Sequence, residues 1–204
     1  MSRFLALCAL TVALSHLTAP ALAGGSPRAH DGGFMLRMTG GFGGGSTSIS
    51  NSTNELKFEG GQGEFTLAIG GVVRENLALH GTLFSFVMVD PDIRIDGGPA
   101  IPGSGNVSMN GVGAGLTWWA MPANFYVSGS AGIGRLTADP DNAGSSSSDR
   151  GFAMELALGK EWFMSDRWGL GLGGGLSWHT IPDGLIDENW SGTSISVRFS
   201  ATFN

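Results

Sequence analysis

Ser177 and His179 stand two residues apart, and Asp183 and Asp187 follow within eight residues. A hydroxyl, an imidazole and a carboxylate are the parts of an activated nucleophile, in which the imidazole takes the hydroxyl proton and the acid orients the imidazole. Three other stretches invite a chemical reading. Asp90-Pro91-Asp92-Ile93-Arg94-Ile95-Asp96-Gly97 opens like a calcium loop, but its fifth position is Arg94 and its twelfth is Ile101, so the bidentate acid is missing and an exposed acidic loop is the better reading. Gly169 to Gly174 has the glycine spacing of a dinucleotide fingerprint, which must close a strand and open a helix; nothing helical follows. His30 and His80 have no ligand spacing with any partner, so neither a metal nor a cofactor is expected.

Whether Ser177 and His179 can act depends on the element that carries them. In WGLGLGGGLSW, Trp168, Leu170, Leu172, Leu176 and Trp178 are even, whereas Gly169, Gly171, Gly173, Gly175 and Ser177 are odd. A period of two marks a strand with one apolar face and one nearly bare. Ten residues tilted by roughly 40° climb about 25 Å, the height of an apolar membrane band, with a tryptophan at each edge.

Seven further segments repeat the alternation. They start at Phe34, Phe65, Leu77, Val107, Phe125, Phe152 and Ile195, giving eight strands. Short turns near Arg74 to Asn76, Pro122 to Asn124 and Met164 to Arg167 alternate with longer polar loops near Gly43 to Leu56, Asp90 to Asn106, Ala138 to Asp149 and Thr180 to Asn189. The expected fold is all-β, an eight-stranded antiparallel up-and-down transmembrane β-barrel, with both termini at the short-turn end.

The partition of charge follows the same parity. Arg37, Glu64, Glu155, Glu161 and Arg198 all point inward, where opposite signs pair across a narrow interior and plug it; a gate or proton relay is the alternative. Phe84 and Phe86 share the inward parity, and the small residues expected across from them are Gly171, Gly173 and Gly175. A passage lined by Phe84, Phe86 and Met88, or a bulge turning them outward, are the competing readings. Lys160 and Arg135 break parity and face lipid near strand ends, where a long side chain reaches the headgroups. Trp118, Trp162, Trp168, Trp178 and Phe203 form the expected aromatic girdle. Ser177 and His179 point inward with the glycines, which argues against a nucleophile that must meet a lipid.

Composition supports one domain. Residues 1–23 carry Arg3, an apolar stretch from Phe4 to about Leu17 and Ala21-Leu22-Ala23, the layout of a cleaved signal peptide; residues 24–204 form the barrel domain, with Gly24 to Asp31 a short tail. Cys8, the only cysteine, lies in that signal. A formal net charge of -6 without a basic face excludes nucleic acid as a partner.

On these segments the chain resembles the small eight-stranded outer-membrane barrels of the OmpA, OmpX and OmpW type. Ile195, Val197, Phe199, Ala201 and Phe203 resemble the C-terminal signal that the barrel-assembly machinery reads in this class, although here Asn204 follows the aromatic. The resemblance implies a monomer in the outer membrane of a Gram-negative type bacterium, in contact with membrane lipids and lipopolysaccharide; the loop acids Asp92, Asp139, Asp141 and Asp187 offer bridging of divalent cations to that lipopolysaccharide as an alternative to a plain acidic loop. A mostly filled interior and polar loop tips imply a non-enzymatic structural or surface-interaction role. An OmpW-like conduit for small hydrophobic molecules is the first alternative. A lipid A acyl hydrolase is the second, although Thr180-Ile181 after His179 departs from the His-x-Ser arrangement of such enzymes.

Overall fold

The computed structural model describes residues 29–31, 33–51, 53–185 and 187–204. The signal-peptide segment, with Cys8, lies outside the described residues. Eight long strands run through the described chain: β1 (Phe34–Ser50), β2 (Glu55–Arg74), β3 (Leu77–Val89), β4 (Gly105–Ala120), β5 (Phe125–Pro140), β6 (Gly151–Phe163), β7 (Trp168–Pro182) and β8 (Asn189–Phe203). Each pairs antiparallel with its neighbours in sequence, and β1 pairs with β8 from Leu36 with Phe203 to Ser48 with Ser191, which closes the barrel. No helix of the described chain is long and apolar enough to cross a membrane.

Most of the large apolar side chains of the wall face outward. Leu158 and Ile195 are each 67% exposed, and Leu156, Leu170, Leu176, Val197 and Phe199 are open as well, whereas Arg37 at 5%, Arg198 at 3% and Glu161 at 1% are buried. A water-soluble barrel would reverse this distribution, since bare hydrocarbon costs about 25 cal/mol per Å² in water. Closure pairs the backbone groups of every wall strand, as a bilayer demands.

The first hairpin departs from the expected loop at Gly43 to Leu56. Pairing of β1 with β2 continues to Ser50 with Glu55, and only residues 51–54 turn. The twenty residues of β2, tilted by roughly 40°, climb about 50 Å, well beyond an apolar band of about 25 Å. The glycine- and serine-rich composition suggests a loop, but these glycines allow close strand contact: a Cβ at Gly43 would overlap the Ile195 carbonyl. The loop from Asp90 to Asn106 likewise contains two short strands, Asp92–Ile95 against β2 and Ile101–Pro102 beside it. Its acids serve the backbone: Asp90 Oδ1 accepts from Gly105 N at 2.9 Å and Asp96 Oδ1 from Glu55 N at 2.7 Å.

Candidate functional site

The lumen holds the concentration of chemistry. At its middle, Arg198 of β8 reaches Glu64 of β2 at 2.8 Å and Glu155 of β6 at 2.9 Å. Its Nη2 also donates to Ser177 Oγ at 3.1 Å. The carboxylates have further donors: Ser196 and Ser194 to Glu64 at 2.6 and 3.0 Å, Gln62 to Glu64 at 2.6 Å, and Thr66 to Glu155 at 3.1 Å. Inward positions on several strands build this triad because every second residue of each strand enters the tube. Breaking such a buried pair from one side costs about 3–5 kcal/mol, since a charge is left without its partner.

Toward the short-turn end a second cluster surrounds Glu161. Trp119 Nε1 donates to it at 2.8 Å, Thr202 Oγ1 at 2.7 Å, and Arg37 lies 3.3 Å away. Arg37 also lies over the Tyr126 ring, 3.8 Å from its centroid. The five charges grouped by parity are therefore brought inside as two clusters. Between them lies a cavity of about 20 Å³, lined by Arg37, His80, Tyr126, Glu155 and Arg198 among others, with room for about one water.

His30 closes the short-turn mouth, where the sequence suggests only a tail. Its ring is stacked on Trp119 at 4.0 Å and tilted against Phe163 at 5.0 Å. Its backbone N donates to Asn76 Oδ1 at 3.0 Å, its carbonyl accepts from Asn76 N at 2.8 Å, and its Nε2 donates to Asn124 Oδ1 at 3.0 Å. The Asn204 side chain donates to His30 Nδ1. One neutral tautomer, with the proton on Nε2, satisfies both ring nitrogens. Asn204, the residue that departs from the C-terminal pattern, thus ties the last strand to the segment ahead of the first.

The long-loop half of the lumen carries an apolar cluster. Phe84, Phe86, Met88, Val107, Met109, Leu136 and Ile181 pack as one buried cluster. The two phenylalanines point inward, but Phe84 does not take its space from the β7 glycines: a Cβ at Gly111 of neighbouring β4 would overlap its ring. Gly171 instead leaves room for Ser200 and Glu161, Gly173 for the Tyr126 hydroxyl, and Gly175 for the Arg198 guanidinium. Strand tilt and shear offset residues across the tube, so equal counting along β3 and β7 does not give equal height.

Ser177 and His179 are not brought together as a nucleophile and base. Ser177 accepts from Arg198, and His179 Nε2 bonds Thr47 Oγ1 at 3.0 Å with its ring against Phe86 at 5.7 Å. Asp183 accepts from Trp190 Nε1 at 2.8 Å. Asp92, Asp139, Asp141 and Asp187 are exposed, and no group of three or more potential metal ligands occurs among the described residues. His80, equally inward, bonds Thr82 at 2.8 Å and Thr117 at 3.1 Å.

On the outside, Trp118, Trp162, Trp168 and Phe203 lie toward the short-turn end and Trp178 toward the other. Trp168 meets Phe203 edge-on at 5.3 Å. Lys160 sits over the rings of Phe125 at 5.0 Å and Trp162 at 5.9 Å, so its outward charge rests on aromatic faces.

No family model and no curated protein matches this chain. Among solved structures, it is similar to Neisserial surface protein A, at 12% identity and a TM-score of 0.48 over 82% of this chain and 95% of that one. It is similar to the outer membrane protein OprG from Pseudomonas aeruginosa at 13% identity and a TM-score of 0.46, over 85% and 97% of the two chains. It is also similar to the outer membrane protease OmpT from Escherichia coli at 9% identity and a TM-score of 0.44, over 91% and 99%. Likeness at this level attaches no activity to the chain. Its own strand order, closure and outward apolar band are those of the small eight-stranded outer-membrane barrels.

Proposed function

We propose that this chain is a non-enzymatic integral outer-membrane barrel, exported by a cleaved signal peptide and inserted by the barrel-assembly machinery through β8. Its role is structural or interactive: it seals its own lumen and displays loops beside lipopolysaccharide. The observation that carries this reading is the bracing of Arg198 between Glu64 and Glu155, with the Arg37 and Glu161 pair below and the apolar cluster above. Charges held in reciprocal pairs at near-complete burial are poorly placed to bind a passing solute. The His179 bond to Thr47 and the Ser177 bond to Arg198 leave neither group as an activated nucleophile.

Solute flux tests the proposal. Liposomes carrying the folded chain are expected to retain sugars, ions and small hydrophobic dyes as well as empty liposomes do. Flux of a hydrophobic dye that falls when Gly173 becomes Phe favours the conduit instead. A mass change in lipid A that depends on His179 favours the hydrolase.

A further inference from the structure

Two arginines crown the outward apolar face of β5 and β6. Pairing of these strands ends at Gly134 with Gly151, so the next residues beyond the band are Arg135 and Arg150, both exposed. Directly below stand outward Ile133 and Phe152, and Trp178 leans on Phe152 at 5.7 Å. Arg135 Nε donates to the Ser148 carbonyl at 2.8 Å, which anchors one edge of its guanidinium. The ion pairs among the described residues include neither arginine. The Asp149 carboxylate lies over Gly184, and Asp139 is four residues further along β5, about 13 Å at strand rise.

Like charges at neighbouring positions repel unless something of opposite sign lies between them. Lys160, at the other rim, has ring faces under its charge; Arg135 and Arg150 have an apolar wall beneath them. We propose that Arg135 and Arg150 clamp the phosphate of an outer-leaflet lipid whose acyl chains lie along Ile133 and Phe152. This rests on the outer-membrane reading above. A guanidinium matches two phosphate oxygens with two parallel N–H donors, so a pair of them suits a doubly charged phosphate. The bonded hydroxyls of Thr137 and Ser147, 3.2 Å apart just beyond on the wall, leave one further O–H to donate at headgroup height. A free phosphate would have the two exposed arginines but no use for the apolar surface beneath, which is why the lipid is the chosen occupant.

The test uses the full chain folded in detergent micelles, with bound lipid counted by native mass spectrometry. The probes are lipid A with two phosphates, the same lipid dephosphorylated, and inorganic phosphate as competitor. The expected result is retention of the phosphorylated lipid, at least tenfold weaker retention of the dephosphorylated one, and no displacement by an equal concentration of inorganic phosphate. The double substitution Arg135→Gln and Arg150→Gln is expected to weaken retention at least tenfold, and Arg150→Gln alone severalfold, while Lys160→Gln leaves it unchanged. Equal retention by the double variant, equal retention of dephosphorylated lipid, or displacement by inorganic phosphate overturns the clamp. Heat-modifiable electrophoretic mobility separates the two failures: a folded wild-type barrel without lipid preference refutes the clamp alone, whereas a wild-type chain lacking that mobility refutes the membrane reading on which it stands.

Discussion

The guanidinium of Arg198 occupies the space that a side chain at Gly175 would need. The two residues sit on β7 and β8, whose register sets Gly173 beside Arg198 and Gly175 beside Ser196. The bare inner face of β7 is therefore the counterpart of a large charged group. Gly175→Leu is expected to push Arg198 off Glu64 and Glu155 and to destabilise the barrel by about 3–5 kcal/mol. Gly174, one residue along, faces outward, and a Cβ there would stand 3.7 Å from the Ser196 carbonyl oxygen, an ordinary contact. Gly174→Leu is expected to change stability by less than about 1 kcal/mol. Urea unfolding in lipid vesicles measures both, and equal effects would contradict the assignment.

Arg37 Nη1 and the Tyr126 hydroxyl have no hydrogen-bond partner in the protein, yet both residues line the cavity of about 20 Å³ between the two ionic clusters. Each unsatisfied buried donor costs about 1–3 kcal/mol, and a water removes that cost. A high-resolution crystal structure is expected to show one ordered water there. An empty cavity would contradict the prediction.

His30 joins residues 46, 94 and 174 positions away in the chain. His30→Ala removes a stacked ring, worth about 0.5–1.5 kcal/mol, and two side-chain hydrogen bonds of about 1 kcal/mol each, for a loss of about 2.5–3.5 kcal/mol. Thermal unfolding in detergent measures it, and an unchanged midpoint would show that the mouth is closed without this residue.

Much of the wall was legible because alternation has a period of two: outward Leu170, Leu172 and Leu176 and inward Arg37, Glu155 and Arg198 follow from parity alone. What lay across the tube was not. The register of eight tilted strands decides whether Phe84 meets Gly111 or Gly173, and parity is silent on height. The long first hairpin was hidden because Gly43, Gly44, Gly45 and Ser46 have loop composition while serving a tight sheet. His30 carried no signal at all, since its partners come from two turns and the last residue.

Beyond the apolar band, Glu59 lies between Lys57 at 2.8 Å and Arg94. Hydrogen bonds from these two cations, Lys57 first, hold its carboxyl below the usual carboxylate range. The stabilisation is therefore complete above the unfolded value near 4.5 and is lost as pH falls through the lower folded value. Carbon-detected NMR titration of the Glu59 carboxyl is expected to show this depression, and Lys57→Met with Arg94→Met to abolish it. A titration unaffected by both substitutions would contradict the pairing.

The central claim is that alternate wall residues meet hydrocarbon. Spin labels placed singly at Leu156, Leu158, Leu172 and Leu176 in lipid vesicles test it most directly through collision with oxygen and with a water-soluble nickel complex. The account predicts strong oxygen and weak nickel contact at all four sites. Nickel contact at the level of the exposed loop residue Leu185 would contradict it.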